Sequence, residues 1–238
     1  MRWRRVGGFS VVMSWPERSV SGGPPQVRPP GRRTRLVGLL GTISLLGGMS
    51  AIGYAIAAQI HAPQPAKSAA GVTSVSGHGP SVPRSLPVSV SIPSIGVHSS
   101  LMDLGLNSDG TIQVPSITTA ADKAAWYKYS ATPGEIGTSV IEGHVDSYRG
   151  PAVFFRLGAL KPGQDIDVTL ADGTTAIFRV TGVREYAKDQ FPDALIYGST
   201  DYAALRLITC GGDFDAATGH YLSSTVVFAS LTSSRAPR

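Results

Sequence analysis

The chain has 238 residues, with 21 Lys and Arg residues against 16 Asp and Glu residues, and a single cysteine. The excess positive charge lies in residues 1–35, where eight arginines and one glutamate give +7; the net charge of +5 therefore leaves −2 for the rest. After this basic tail, no interleaving of aromatic and basic side chains indicates a nucleic-acid surface. One cysteine also excludes a disulfide within the chain.

An uncharged segment of 25 residues, 36–60, follows the basic tail. As a helix it would be about 37 Å long, enough to cross a hydrocarbon core of about 30 Å. The arginines precede it, so the positive-inside rule predicts a cytoplasmic N-terminus, a single-pass membrane anchor and an extracellular remainder. A cleaved signal peptide is the alternative, because Ala55-Ile56-Ala57 resembles a cleavage site.

The next segment, 61–86, is rich in Pro, Ser, Gly and Ala and poor in large apolar residues. This composition predicts a mobile spacer that holds a domain away from the membrane surface. The domain itself is expected over 87–232, and a polar tail over 233–238 closes the chain.

Apolar residues of this domain mostly alternate with polar ones, the pattern of half-buried strands separated by turns. We therefore predict a mainly β domain, closed into a barrel because few strands are left to form edges. Short helices are expected at Thr119–Trp126 and Ala152–Leu157. The predicted strands are at 88–92, 99–104, 112–114, 139–141, 165–170, 176–186, 205–209 and 225–231.

The only cysteine follows the apolar strand 205–209 and precedes Gly211 and Gly212. Most free cysteines are small buried hydrophobes. However, a rigid strand followed by glycines also suits a nucleophile, and an unpaired cysteine outside the membrane suggests a working thiol. We therefore predict that Cys210, held at the end of its strand, is a nucleophile.

A second strand, 139–141, leads into Gly143-His144. An accessible imidazole at that strand end would favour the thiolate of Cys210 and later protonate a leaving amine. Asp146 could orient this imidazole, and Thr209 is expected to support the thiol from the same strand. Metal-ligand spacing and a glycine-rich phosphate loop are both absent from the sequence, so neither a metal nor a cofactor is predicted.

Taken in order, these motifs resemble those of sortases. Leu207-Ile208-Thr209-Cys210 is similar to the family's Leu-x-Thr-Cys signature, and Gly143-His144 to its histidine motif. The segments 126–128, 133–137, 150–155 and 210–215 look most like the class F, actinobacterial branch. The resemblance implies an eight-stranded sortase-type β-barrel.

It also implies a transpeptidase acting on secreted proteins that carry a C-terminal Leu-Pro-x-Thr-Gly-type sorting signal. Cys210 would attack the Thr carbonyl to form a thioacyl enzyme, and His144 would protonate the leaving Gly amine. An amine of a peptidoglycan precursor or another acceptor would then resolve the intermediate at the cell wall.

One feature departs from the family pattern. Sortases carry an arginine on the last strand, where it holds substrate and stabilises the oxyanion, but residues 218–226 contain none. The expected slot falls between Gly219 and Ser224, and His220 and Arg206 are the candidate replacements. Two alternatives therefore stay open: a sortase-like module that binds sorting signals or partner proteins with little turnover, or an external cysteine hydrolase that uses water.

Overall fold

A computed structural model describes residues 61–71 and 79–237. Eight strands close into a barrel in the order β1-β2-β3-β4-β9-β10-β8-β7, which confirms the predicted eight-stranded barrel. A two-stranded hairpin, β5 and β6, stands beside it. The strands are β1 Pro87–Ile92, β2 Val97–Leu104, β3 Ala124–Tyr127, β4 Gly137–Gly143, β5 Asp146–Ser147, β6 Gly150–Pro151, β7 Asp165–Leu170, β8 Thr175–Ala187, β9 Ala203–Asp215 and β10 His220–Arg235.

Helical structure in the described residues is short. One α-helix, α1 (Asp193–Tyr197), lies in the connection between β8 and β9. The 3-10 helices span Lys67–Ala69, Pro93–Ile95, Leu157–Ala159 and Lys188–Gln190.

The barrel interior is filled by alternate residues of its strands, because successive side chains of a strand point to opposite faces. On β1, Val90 and Ile92 are fully buried in this interior core. On β9, Leu205 and Leu207 belong to the same core. The residues between and beyond them therefore lie on the outer face of the barrel.

The outer face of β9 carries a second apolar cluster, which we call the outer cluster. Its buried members are Val140, Ile196, Ile208, Val226 and Phe228. Since Ile196 belongs to α1, the connection from β8 to β9 covers this face. Both faces of β9 are thus buried, which explains its nearly continuous apolar sequence.

Two helix predictions were wrong. The helix predicted at Thr119–Trp126 ends instead in β3, Ala124–Tyr127, which pairs parallel with β2 and antiparallel with β4. Pairing on both edges and burial of Trp126 outweigh the helical preference of the alanines. Ala152–Leu157 is a run of turns that ends in a 3-10 helix. The predicted strand 112–114 reduces to one bridge, between Leu106 and Ile112.

The described part of the predicted spacer contacts the barrel. Ala69 is buried in the interior core, and Arg184 donates a hydrogen bond to the Ala70 carbonyl at 2.9 Å. Further along, the Val82 amide donates to the Gly134 carbonyl at 2.8 Å. These stretches are therefore packed against the domain, unlike a detached spacer.

At the other end, β10 continues into the predicted polar tail, because residues up to Arg235 pair with β8. Within residues 61–71 and 79–237, no helix has the length and apolar character needed to span a membrane. The predicted tail 1–35 and anchor 36–60 lie outside the described residues.

Candidate active site

Cys210 lies on the outer face of β9, in the same row as Arg206 and Ile208. Its direct partner across the antiparallel pair with β10 is Ser224. The thiol is 6% exposed. The sequence predicted that the strand ends at this cysteine, but β9 continues to Asp215. β9 continues because it forms a hairpin with β10. The pairing of these two strands shifts register beside Gly212, whose φ is +71°.

His144 directly follows β4, which runs parallel to β9. Glu142 and Ile208 are the last pair of that ladder, and the same register continued by two residues would put His144 at the level of Cys210. Adjacent strands are about 4.8 Å apart, and Asp146 acts electrostatically on both groups, so the imidazole and the thiol lie in one neighbourhood.

The imidazole is 2% exposed and its Nε2 is 2.6 Å from the Pro115 carbonyl oxygen. The expectation of an accessible histidine was therefore wrong. Gly143 does not expose the histidine but allows close packing around it. A Cβ at that position would come within 2.6 Å of Val153 and 2.8 Å of Phe154. The absence of a side chain at this glycine lets the turn after the histidine fold over it.

Burial sets the protonation states of both groups. It raises the pKa of the Cys210 thiol to about 12, and Asp146 and Glu142 add to the rise. It lowers the pKa of His144, against the opposing effects of the Pro115 carbonyl and Asp146. At neutral pH the resting pair is therefore a thiol and a neutral imidazole, unlike the thiolate and imidazolium that the sequence suggested.

Asp146 lies at the start of β5, close enough to influence both His144 and Cys210 electrostatically. Its Oδ2 accepts a hydrogen bond of 2.6 Å from the Tyr221 hydroxyl. This contact ties the β5–β6 hairpin to β10. Thr209, by alternation, lies on the interior side of β9, and its hydroxyl finds no hydrogen-bond partner in the part of the chain that the structure describes.

The two candidate replacements for the arginine lie apart from the sulfur. The Arg206 guanidinium lies 4.6 Å from the centroid of the Phe228 ring and donates to the Leu205 carbonyl at 3.2 Å, so it is held within the outer cluster. His220 pairs with Asp215 near the hairpin turn. It is four residues from Ser224, which corresponds to about 13 Å along the strand.

Three residues near the site were not predicted. Pro115 contacts the imidazole, as described above. Glu142 is fully buried, and burial raises its pKa to about 8. Lys188 donates from Nζ to Cys210 Sγ at 3.5 Å. The only sequence signal for Lys188 is a cation just after a predicted strand, which does not indicate a partner 22 residues away.

A thiol and an imidazole brought together on the face of a β-barrel are typical of enzymes with a cysteine nucleophile. A family model for the sortase domain matches residues 90–232. The chain therefore belongs to the sortase family, whose members are cysteine transpeptidases.

Solved structures that are similar to this chain include sortase A from Listeria monocytogenes, with 16% identity, 64% of this chain and 90% of that chain covered, and a TM-score of 0.47. A sortase from Actinomyces oris has 21% identity, 69% and 90% coverage, and a TM-score of 0.45. Sortase C1 from Streptococcus agalactiae has 19% identity, 61% and 66% coverage, and a TM-score of 0.46. No curated protein sequence matches this chain.

Proposed function

We propose that this chain is a membrane-anchored sortase of the class F type. In this proposal it cleaves a Leu-Pro-x-Thr-Gly-type sorting signal between Thr and Gly and transfers the secreted protein to an amine of the cell wall. Membership of the sortase family supports the transpeptidase activity. The ordered motifs support the class, and the arginines before an uncharged segment support the anchor with an extracellular domain.

The observation that carries the proposal is the juxtaposition of Cys210 and His144. The parallel ladder of β4 with β9, which ends two residues before them at Glu142 and Ile208, supports their lying at the same level. Cys210 lies in β9 and His144 directly follows β4, both buried strands, an arrangement that keeps a nucleophile and a base within reach of one substrate bond.

The chemistry that we propose starts from the neutral pair. Sγ attacks the Thr carbonyl carbon as His144 takes the thiol proton, so the S–C bond forms and the carbonyl electron pair moves to oxygen. When the carbonyl reforms, the C–N bond breaks and His144 returns that proton to the leaving Gly amine. An incoming amine then attacks the thioester, forms the new amide and releases the Cys210 thiol.

The test uses the purified full chain in detergent with a fluorogenic Leu-Pro-x-Thr-Gly peptide, with and without an amine acceptor. We expect cleavage that depends on the thiol, and a peptide–amine product when acceptor is present. Cys210→Ala should abolish both. Peptide turnover by Cys210→Ala would reject the mechanism.

A second candidate is a sortase-like module that binds sorting signals with little turnover. It is favoured by burial of the sulfur and the rise of its pKa to about 12, which leave little thiolate at neutral pH. A peptide complex that survives Cys210→Ala, with no turnover by the unaltered chain, would support it. Hydrolysis at a rate indifferent to added amine would instead indicate a cysteine hydrolase that uses water.

A further inference from the structure

Besides His144, charged and titratable groups approach Cys210 from several elements. Glu142 approaches from β4 and Asp146 from β5, and both raise the pKa of the thiol. Tyr186 lies across β10, opposite Ser224, in the ladder with β8. Lys188, from the 3-10 helix after β8, acts in the opposite direction and is the cation in contact with the sulfur.

The strand register explains how Lys188 reaches the sulfur. Ser223 pairs with Ala187 on one side and with Gly211 on the other, so Lys188 starts two strands away from Cys210. Two strand spacings are about 10 Å, and the long lysine stem covers most of that distance.

The residue of β10 that lies between them is small. Ser224 is the direct partner of Cys210 on the intervening strand, and it ends the range, from Gly219 to Ser224, in which the family pattern would have arginine. It is buried, and its hydroxyl has no hydrogen-bond partner within the described residues. We infer that so small a side chain leaves room for the lysine stem to cross β10 to the sulfur.

We propose that Lys188 is the catalytic cation of this site: its ammonium stabilises the Cys210 thiolate and then donates a hydrogen bond to the oxyanion on the substrate carbonyl. The inference rests on the proposed transpeptidase function. It takes over the role that the resemblance assigned to an arginine on the last strand. Lys188 keeps its proton throughout, while the thiol proton passes through His144 to the leaving amine. A compact ammonium suits both anions in turn, because the sulfur and the oxyanion become bonded to the same carbon atom.

Cys210 is the only cysteine in the chain, so thiol alkylation reports on this site alone. The full chain is alkylated in detergent with iodoacetate, an anion, and with iodoacetamide, which is neutral. An ammonium about 5 Å from the incoming carboxylate favours the anion about fourfold, even at the dielectric constant of water. The ratio of the two rates therefore measures the charge beside the sulfur.

Lys188→Met removes the charge and keeps the apolar stem. We expect it to lower the iodoacetate-to-iodoacetamide ratio about fourfold, whereas Lys188→Arg should keep the ratio within about twofold of the unaltered chain. Lys161→Met, at an exposed lysine in a turn, is the matched control and should change nothing. Equal ratios for Lys188→Met and Lys161→Met would overturn the inference.

The salt dependence of the rate ratio can be measured on the unaltered chain. This test therefore remains available even if Lys188→Met does not fold. Raising the salt from about 0.02 M to about 0.5 M should lower the rate ratio, because salt screens the attraction between the ammonium and the reagent. A ratio that is insensitive to salt would contradict the inference.

Peptide turnover distinguishes failure of the catalytic role of Lys188 from failure of the proposed transpeptidase function, on which that role rests. We expect Lys188→Met to lower kcat/KM by roughly 10²- to 10³-fold and Lys188→Arg to retain most of it, as for loss of one oxyanion donor. Normal turnover by Lys188→Met would reject the catalytic role of Lys188 and leave the transpeptidase proposal standing. No turnover by the unaltered chain, with a rate ratio that still depends on Lys188, would reject the transpeptidase proposal alone.

Discussion

Glu142 tests directly whether the outer face of the barrel buries this carboxyl group in its protonated form. Its side chain is 1% exposed. The Tyr197 hydroxyl donates to Oε1 over 3.5 Å, and Oε2 has no hydrogen-bond partner within residues 61–71 and 79–237. Burial raises the pKa of this carboxyl from its usual value near 4.5 to about 8. The protonated form is therefore the one that the fold accommodates.

The direction of the pH effect follows from this shift. Between about pH 5 and about pH 8 the folded chain holds a proton that the unfolded chain has released. The free energy of unfolding should therefore fall as the pH rises, by about 1.4 kcal/mol for each pH unit and by about 4 kcal/mol over the interval. This contribution is complete below the unfolded pKa and is lost as the pH rises through the folded value.

Glu142→Gln keeps the shape of the protonated acid and cannot ionise. Urea unfolding of the full chain in detergent should show similar stability for both proteins near pH 5 and an advantage for the variant of about 4 kcal/mol near pH 8. Glu185→Gln, at an exposed residue of β8, is the matched control and should leave the curve unchanged. Parallel pH curves for Glu142→Gln and the unaltered chain would refute the reasoning.

Two further substitutions test the packing that positions the site. A Cβ at Gly182 would lie 2.2 Å from the Gly71 carbonyl oxygen, so Gly182→Ala should destabilise the chain by about 1–3 kcal/mol in urea unfolding. Gly79→Ala, where a Cβ meets nothing within 4 Å, is its control. An equal effect of both changes would contradict the packing of the segment around Gly71 against β8. Phe178→Ala, in the barrel interior, should cost about 3–5 kcal/mol, whereas Phe214→Ala, at a side chain that is 46% exposed, should cost little; a mild Phe178→Ala phenotype would argue against a packed interior.

The barrel could be predicted because its strands have one buried face or two, and both patterns are visible in sequence. β7 was predicted with its observed limits, Asp165–Leu170, since its apolar residues alternate without interruption. β3 could not be predicted in this way. Its sequence Ala-Ala-Trp-Tyr has no alternation, and it is a strand because β2 and β4 offer it hydrogen-bonding partners on both sides.

The candidate site likewise contains residues that local sequence patterns predict and a contact that they do not predict. Cys210 and His144 each follow an apolar run that ends beside glycine, a local pattern that sequence can show. The contact with Lys188 depends on three strands lying in one particular register. No local pattern encodes that register. The sequence therefore offers Arg206, on the strand of the cysteine, and His220, on the strand after it, but does not indicate Lys188, which directly follows β8.

One connection in the fold links the burial of Glu142 to the position of Lys188. The chain between β8 and β9 begins at Lys188 and continues through α1, whose Ile196 is fully buried in the outer cluster. The same packing that excludes water from Glu142 therefore fixes the start of the segment that presents the ammonium to Cys210. Burial without that ammonium would leave the thiol facing two carboxyl groups, both of which oppose its ionisation. The connection from β8 to β9 that covers the outer face is thus compatible with a cysteine nucleophile, because it also supplies the Lys188 ammonium next to the thiol.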